Sequence, residues 1–231
     1  MTTKKANNRG TLAPKIPIRF HIRSCKINWE IVHQNGETLF VGSSPSESAL
    51  KNIDLGEGWE LVRRYLTVRA EDEHSILEFL VAHGWFQSPE GSWRTEHAKD
   101  KQLPHGKVLL ERFSRQGFAM VQDYVRRMLI TGNPTLPTPW LSRSTPEYKI
   151  AFAETRSGPR AEVLVDRTFP SILATIQFKL VQGATFRTCS RRDCRLPFEV
   201  TSCHKRRFCT QYCAHLTSLR RRRKFAGKNE R

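Results

Sequence analysis

Alternating hydrophobic and polar residues predict a set of strands near the start of the chain. From Ile16 the sequence reads IPIRFHIR and then INWEIVHQNGETLFVG, in which apolar residues recur at alternate positions. Asn35-Gly36 lies between two alternating runs, and this dipeptide is typical of a type I′ hairpin turn. The pattern therefore predicts strands near 16–23, 28–33 and 37–42.

Helical spacing of apolar residues follows in two stretches. DEHSILEFLVAHG predicts a helix over 72–83, with acidic residues in its first turn and Gly84 as its stop. KVLLERFSRQGFAMVQDYVRRMLIT predicts a longer helix over about 107–131, whose apolar residues share a broad face. Gly117 lies inside this second helix and is not expected to break it.

The next part of the chain opens with a proline-rich joint. NPTLPTPW, residues 133–140, has three prolines in eight positions and predicts a loop within one body. Strands are predicted over 148–155 and 160–169. A helix is predicted to start at Pro170 and stop at Gly183, where it delivers the chain to a cluster of cysteines.

The positive charge is concentrated beyond that helix. The chain has 231 residues and a formal net charge of +17, and residues 186–231 alone hold 14 Lys and Arg against 3 Asp and Glu. Such a balance predicts a polyanionic partner, and net charge alone does not distinguish DNA, RNA and an anionic membrane surface. The sequence shows no long apolar run and no secretory signal, so we predict no membrane partner and a reducing cytoplasmic location.

Five of the six cysteines lie within CSRRDCRLPFEVTSCHKRRFCTQYC, residues 189–213. Four of them form two close pairs separated by 14 residues, and the fifth, Cys203, lies between the pairs. In a reducing compartment such clusters more often hold a metal than form disulfides, and two close pairs suit a tetrahedral zinc site. The predicted ligands are Cys189, Cys194, Cys209 and Cys213. Replacement of one of them by Cys203 or His204, and a set of unmetallated thiols, remain as alternatives.

The spacing also predicts how this cysteine segment folds into a zinc finger. The i, i+4 spacing of Cys209 and Cys213 places both thiols on one face of a helix that would run from Thr210 onward. The first pair would come from a knuckle, followed by a short hairpin around Phe198 and Val200, which together make a treble clef. Four thiolates leave no open position on the ion, so one structural Zn²⁺ is expected.

The cations around the cysteines have two interpretations. They would offset the formal charge of −2 on a four-thiolate zinc centre, or they would bind phosphates. The run from Arg220 to Lys224 sweeps the whole circumference of a helix, so it is expected to project from the protein. Neutralising about five phosphates of duplex DNA would give the logarithm of the binding constant K a slope near −4 to −5 against log salt.

The residues predicted to bind nucleic acid are Arg206, Arg207, Gln211, Arg220, Arg221, Arg222, Arg223 and Lys224.

The stretch TFRTCSRRDCRLPFEVTSCHKRRFCTQYCAHLTSLRRRRK resembles the CGNR-type zinc finger at the C-terminus of bacterial proteins regarded as stress-linked transcription regulators. It shares the first cysteine pair with its four intervening residues, Phe198, the Arg207-Phe208-Cys209 step and the basic tail. The resemblance covers roughly the last 60 residues, and Cys213-Ala214-His215-Leu216 stands where Cys-Gly-Asn-Arg is expected. It implies the same four cysteine ligands and a role in transcription regulation.

Taken together, the patterns predict an α+β protein in which a mixed body precedes a treble-clef-like zinc finger with four cysteine ligands. The predicted parts are a flexible basic arm over 1–15, a body of unknown role over 16–183, the finger over 184–219 and a basic tail over 220–231. The predicted function is DNA binding in bacterial transcription regulation. One alternative is a protein- or RNA-interaction module in which zinc is a structural staple.

We predict that the protein is not an enzyme. The sequence contains no Walker A loop, no dinucleotide-binding glycine pattern and no nucleophile elbow. The remaining enzyme alternative is a metal-dependent nuclease with His204 as its base, because treble clefs are found in such sites. A nuclease would require an added divalent ion and would lose cutting with His204→Ala.

Overall fold

The computed structural model describes residues 18–44, 51–55, 57–87, 108–133, 149–155, 158–165, 167–201 and 206–226. The predicted arm over 1–15 and most of the proline-rich joint lie outside these residues. The described part forms nine strands and five helices. The protein is therefore α+β, as the hydrophobic patterns predict.

The strands are arranged in three sheets. They are β1 (Ile18–Lys26), β2 (Asn28–Gln34), β3 (Glu37–Ser44), β4 (Lys51–Asp54), β5 (Val108–Ser114), β6 (Lys149–Thr155), β7 (Gly158–Val165), β8 (Phe186–Thr188) and β9 (Pro197–Glu199). The sheet orders are β4-β1-β7-β6, β2-β3-β5 and β8-β9. Strands β1 and β7 run parallel, and the other pairs are antiparallel.

The structure describes five helices. They are α1 (Gly58–Thr67), α2 (Glu73–His83), α3 (Arg115–Thr131), α4 (Thr168–Val181) and α5 (Gln211–Ala226). Helices α2, α3 and α4 contact strands of the sheets, α1 packs against α4 and α3, and α5 follows the C-terminal hairpin. Helix α1 and strand β4 are missing from the sequence-based prediction, so the body has more regular structure than the patterns indicate.

The hairpin between β2 and β3 confirms the predicted turn. Asn35 has a φ of 53° and Gly36 a φ of 77°, and a type I′ turn requires positive φ at both central residues. Gln34 pairs directly with Glu37, so this two-residue loop closes a regular antiparallel ladder.

Helix α2 also forms where the sequence predicts it. The Asp72 side chain accepts hydrogen bonds from the backbone N–H groups of His74 and Ser75, which begins the helix. At the other end Gly84 has a φ of 75°, and a Cβ there would lie 2.4 Å from the Cys25 carbonyl oxygen. The close approach and the positive φ together require glycine at this stop.

The helix predicted over about 107–131 is wrong in its first part. Residues 108–114 form β5, which pairs with β3, and α3 begins only at Arg115. The Ser114 hydroxyl accepts a hydrogen bond from the Gly117 N–H at 2.9 Å and caps the helix. The strand forms because β3 supplies backbone partners for it, and the apolar spacing within the segment does not reveal them.

Helix α3 also fixes the end of α1. The Gln122 side-chain amide donates to the carbonyls of Tyr65 and Val68 at 2.8 and 2.9 Å, and Arg126 donates to the carbonyl of Leu66 at 3.1 Å. These bonds satisfy carbonyls that the end of a helix leaves without intrahelical partners. The C-terminal end of α1 is therefore held in a defined position.

Helix α4 carries the chain from the body to the cysteine cluster. Strand β7 ends at Val165 and α4 begins at Thr168, so the predicted strand over 160–169 is too long and the helix starts two residues before Pro170. The first nine residues of α4 are buried. The helix ends near the predicted stop, where Gly183 has a φ of 80°. The chain then turns into β8.

The hydrophobic core is an aromatic cluster with aliphatic surroundings. Phe86 lies within 6.3 Å, between ring centroids, of Tyr65, Phe79, Phe113, Phe118 and Phe169. Phe186 of β8 belongs to the same buried cluster, and its ring lies 5.2 Å from that of Trp59 on α1. The C-terminal hairpin is therefore packed onto the body.

Candidate metal centre

A short hairpin holds the first cysteine pair. Strands β8 and β9 pair from Phe186–Glu199 to Thr188–Pro197, and the knuckle lies between them. The Cys189 N–H donates to the Leu196 carbonyl at 3.0 Å, and the Cys194 N–H donates to the Arg191 carbonyl at 3.1 Å. These bonds fold the segment back on itself and turn both thiols to the same side.

The second pair lies at the start of α5. The Thr210 hydroxyl accepts a hydrogen bond from the Cys213 N–H at 3.2 Å, as an N-cap residue does. Cys213 is therefore in the first helical turn, whereas Cys209 lies just before the helix. The prediction that both thiols come from one helix face is corrected in this respect: a cap residue separates Cys209 from the helix.

The hairpin and the helix together bring the four predicted cysteines to one point. Their sulfur atoms all lie within 4.8 Å of one another. The Sγ of Cys209 is 3.5 Å from the Sγ of Cys194 and 3.5 Å from the Sγ of Cys213. These thiols are free and do not form disulfides.

The geometry of this cluster fits a metal ion. Sulfur ligands at about 2.3 Å from a tetrahedral zinc ion would lie about 3.8 Å apart, close to the observed separations. Cys189 and Cys213 are buried, and the other two thiols are half-buried. Four converging sulfur donors can hold one ion with all of its tetrahedral positions filled.

The pKa values of two thiols in the cluster shift in opposite directions. Burial raises the pKa of Cys209, and hydrogen bonds with Cys213, Cys194 and Cys189 raise it further. Burial also opposes the Cys213 thiolate, but hydrogen bonds with Thr210 and the other three thiols lower its pKa to about 7. The neighbouring thiols therefore disfavour the Cys209 thiolate and favour the Cys213 thiolate.

Arg191 is the cation most closely associated with the cluster. Desolvation acts against its charge, but Cys213, Asp193 and Cys194 raise the pKa of Arg191. Its Nε donates to Asp193 Oδ1 at 3.0 Å, and its guanidinium lies 5.9 Å from the ring centroid of Tyr212. This location favours the interpretation of Arg191 as a charge-offsetting residue.

The basic run begins with an arginine that is already paired. Arg220 donates to both carboxylate oxygens of Asp193, at 2.8 and 3.2 Å. The Arg220 hydrogen bond is the main cause that lowers the pKa of Asp193 to about 2. The pair joins the body of α5 to the knuckle, so Arg220 acts first as an anchor of this helix.

The other predicted nucleic-acid-binding residues are distributed along the finger surface. Arg221, Arg222 and Arg223 are exposed in α5, as are Gln211 at its start and Arg207 before it. Arg206 is exposed too, but its guanidinium donates to the carbonyls of Phe208 and Cys209. Lys224 lies in the same helix, and its side chain is outside the described part.

Two predicted alternatives concern residues that the structure does not describe. Cys203 and His204 both lie within 202–205. Replacement of a ligand by either residue, and His204 as a nuclease base, therefore stay predictions. Among the described helices, none is both long enough and apolar enough to span a membrane.

Sequence reasoning missed three residues that shape this centre. The Thr210 cap has a local signal, because threonine before a helical stretch is a common N-cap. The pairing of Asp193 with Arg220 and the position of Trp59 beside the finger have no local signal, since each joins residues far apart in the chain.

No family model, no curated protein and no solved structure matches this chain.

Proposed function

We propose that this chain is a zinc-binding, DNA-binding protein that acts in bacterial transcription regulation, with one structural zinc ion. The observation that carries the proposal is the shared helix. Helix α5 contributes Cys213 to the four-thiol cluster in its first turn and presents Arg221, Arg222 and Arg223 to solvent further along. Folding of the metal centre and presentation of the basic surface are therefore linked.

The donor set supports zinc as the ion. Thiolates are soft ligands, and tetrahedral four-thiolate sites are typical of structural zinc. Cys189, Cys194, Cys209 and Cys213 would fill all four positions and leave none for a substrate or water. The ion would supply folding free energy to a finger whose own buried core is very small.

The exposed cations support a nucleic-acid partner. Three consecutive arginines on a helix are spread by about 100° each, so they face widely different directions. The bidentate bond between Arg220 and Asp193 fixes the helix relative to the knuckle, which would direct the three arginines outward. Contacts of this kind bind phosphates and position a protein on DNA without reading its sequence. The resemblance to the CGNR-type finger is what favours a transcription regulator.

The test is recovery and sequencing of DNA bound by the zinc-loaded full chain from a random pool at about 150 mM salt. A sequence-specific regulator would enrich one motif. Weak binding without selection, which disappears as salt rises, would contradict the regulator and leave phosphate binding alone.

A matched pair of variants tests the role of α5. Arg221→Gln, Arg222→Gln and Arg223→Gln together should reduce the slope of log K against log salt by about 3. The control is Arg69→Gln, Arg115→Gln and Arg127→Gln, which removes the same charge from exposed ion pairs of the body. Equal loss in both triple variants would show that only net charge matters and would contradict a binding surface on α5.

The second candidate is a protein- or RNA-interaction module in which zinc is only a structural staple. It is favoured by the attachment of the finger to the body, since Phe186 joins the main core and Lys179 pairs with Glu199 at 2.7 Å. Such a module would retain a protein or an RNA, but no duplex DNA, at moderate salt. Binding of the zinc-loaded chain to duplex DNA at about 150 mM salt would contradict it.

A further inference from the structure

An open groove separates α1 of the body from the finger. Its volume is about 500 Å³, within the range of small-ligand sites. The α1 wall presents Trp59, Arg63 and Arg64, and the finger wall presents Phe198, Thr201, Arg206 and Thr210. Neither the cysteine cluster nor the exposed arginines of α5 account for this combination of a flat ring, hydroxyls and guanidinium groups.

The α1 wall has an excess of positive charge. Arg63 and Arg64 both bind the same carboxylate, that of Glu60, at 3.3 and 3.4 Å. One carboxylate cannot neutralise two guanidinium groups, so a charge of +1 remains on this wall. All three side chains are about half exposed, so the arginines can turn toward a ligand without leaving a buried charge behind.

The finger wall holds a guanidinium in a defined place. Arg206 Nε donates to the Phe208 carbonyl at 2.9 Å, another Arg206 nitrogen donates to the Cys209 carbonyl, and the guanidinium lies 5.2 Å from the centroid of the Phe198 ring. Among the residues that the structure describes, no carboxylate forms an ion pair with Arg206. Its charge is oriented by carbonyls and a ring, and it is not neutralised by an acid.

The remaining charged groups of the groove cancel one another. Glu199 lines the groove and pairs with Lys179 at 2.7 Å. The Lys179 ammonium also lies 5.4 Å from the centroid of the Trp59 ring. The described residues that line the groove therefore include three arginines and two glutamates, and Cys209 of the metal cluster lines it as well. The indole of Trp59, beside the Lys179 ammonium, is partly buried.

We propose that this groove binds a nucleoside 5′-monophosphate, with its base on Trp59 and its phosphate between Arg63, Arg64 and Arg206. A phosphate monoester carries a charge of about −1.5 to −2 near pH 7, so it would pair with the arginines that the two glutamates leave unneutralised. A base would stack on the part of the Trp59 indole that lines the groove, beside the contacts of that ring with Phe186 and Lys179, and an acidic peptide would leave this surface unused. Thr201 and Thr210 also line the groove.

Two kinds of molecule offer a base next to a 5′-phosphate. The ligand is either a free mononucleotide, which would be an effector bound between body and finger, or the 5′-phosphorylated end of a single strand. The proposal does not depend on duplex binding by α5, because the groove lies at the opposite end of that helix from Arg221, Arg222 and Arg223.

The experiment is equilibrium dialysis of the zinc-loaded full chain against AMP, adenosine and inorganic phosphate. We expect AMP to bind at least tenfold more tightly than adenosine or inorganic phosphate, because only AMP uses both the indole and the arginines. Equal binding of AMP and inorganic phosphate would overturn the nucleotide assignment, and so would the absence of AMP binding at millimolar concentration.

A 5′-phosphorylated oligo(dA) trimer and its unphosphorylated form then distinguish a free mononucleotide from a strand end. Tighter binding of AMP than of the phosphorylated trimer assigns a free effector, and the reverse assigns a strand end.

Variants locate the binding in the groove. Arg63→Gln and Arg206→Gln should each weaken AMP binding about tenfold through loss of a charged hydrogen bond. Trp59→Leu should weaken it by a similar factor, and Trp59→Phe should restore most of the loss. Arg127→Gln, which removes an exposed helical arginine of the body, is the control and should have no effect.

Two further measurements keep the test independent of folding and of the proposed function. The zinc content of each variant shows whether its finger is intact. If the other variants lose zinc, the comparison of AMP binding by Arg63→Gln with that by the unmodified chain is the test. The triple variant of Arg221, Arg222 and Arg223 should bind AMP unchanged even where it loses duplex DNA. AMP binding that is the same in Arg63→Gln as in Arg127→Gln would overturn the groove as the site.

Discussion

The body and the finger of this protein are held together in different ways. The body buries a continuous core in which Phe86 contacts five other aromatic rings. The finger's own buried cluster consists of Cys189, Phe198 and Cys213 among the residues that the structure describes, because the buried Phe186 belongs to the core of the body. Burial of apolar surface is enough to stabilise the first region, whereas the second has too little of it and depends on its four thiols. The comparison therefore predicts that each region fails under a different perturbation.

Loss of a metal ligand should have the largest effect. Cys209→Ser removes one of four converging thiols, and because apparent metal-binding free energies in zinc fingers are about 10 to 16 kcal/mol, the finger should unfold. Zinc content and NMR resonances of the finger measure this loss. The body should keep its resonances, because its aromatic core contains no thiol of the cluster.

Cys25→Ser is the matched control, since Cys25 lies in β1 outside the cluster. It should retain one zinc ion per chain. Retention of the full zinc content by Cys209→Ser would show that the ligand set is wrong.

Truncation at the centre of the body core comes next. Phe86→Ala should cost about 3 to 5 kcal/mol of unfolding free energy, because it leaves a cavity among packed rings. Urea denaturation followed by circular dichroism measures the change. Val181→Ala, at a side chain that is 85% exposed, should change stability by less than about 0.5 kcal/mol. A small effect of Phe86→Ala would mean that the body, like the finger, does not depend on apolar burial.

Acid should weaken the body through a buried histidine. Burial, followed by the charge of Arg64, lowers the pKa of His83 from 6.5 to about 4, and its Nδ1 has no hydrogen-bond partner among the described residues. The unfolded chain binds a proton near pH 6.5 and the folded body does not. Protonation of His83 therefore does not affect the free energy of unfolding above pH 6.5. As the pH falls from 6.5 toward 4, it lowers that free energy by about 2 to 3 kcal/mol.

Urea denaturation at pH 7.0 and pH 4.5 measures this dependence. His83→Leu should remove most of it, and the exposed His74→Gln should leave it in place. A pH dependence that is the same in His83→Leu and in the unmodified chain would assign it to other groups.

The smallest expected effect concerns the contact between the two regions. Glu199→Gln removes the partner of Lys179, whose ion pair is about three quarters buried and joins α4 to β9. We expect a loss of about 1 kcal/mol in the thermal stability of the body, since the finger would be held less tightly. Asp123→Asn breaks an exposed pair within α3 and should cost only a few tenths of a kcal/mol. Equal effects would show that the finger does not stabilise the body through this pair.

Local patterns were sufficient for several elements of the body. Asn35-Gly36 predicts a turn whose positive φ values the structure contains, and Asp72 with Gly84 bounds α2 within one residue of the prediction. The segment over 108–114 shows where local patterns fail. Its apolar residues suit a helix, but pairing with β3 makes it a strand.

The sequence by itself predicted that Cys189, Cys194, Cys209 and Cys213 converge, with Cys203 or His204 as alternatives, because the spacing of the two pairs is typical of a knuckle followed by the start of a helix. It also determined that the C-terminal residues are strongly basic. Only the tertiary structure decided how those charges are used: Arg220 pairs with Asp193, Arg191 lies beside the thiols, and Arg206 faces Trp59 across a groove. The physical reason is that ligand spacing and helix caps act over a few residues, whereas ion pairs and grooves join segments whose separation in the chain carries no signal.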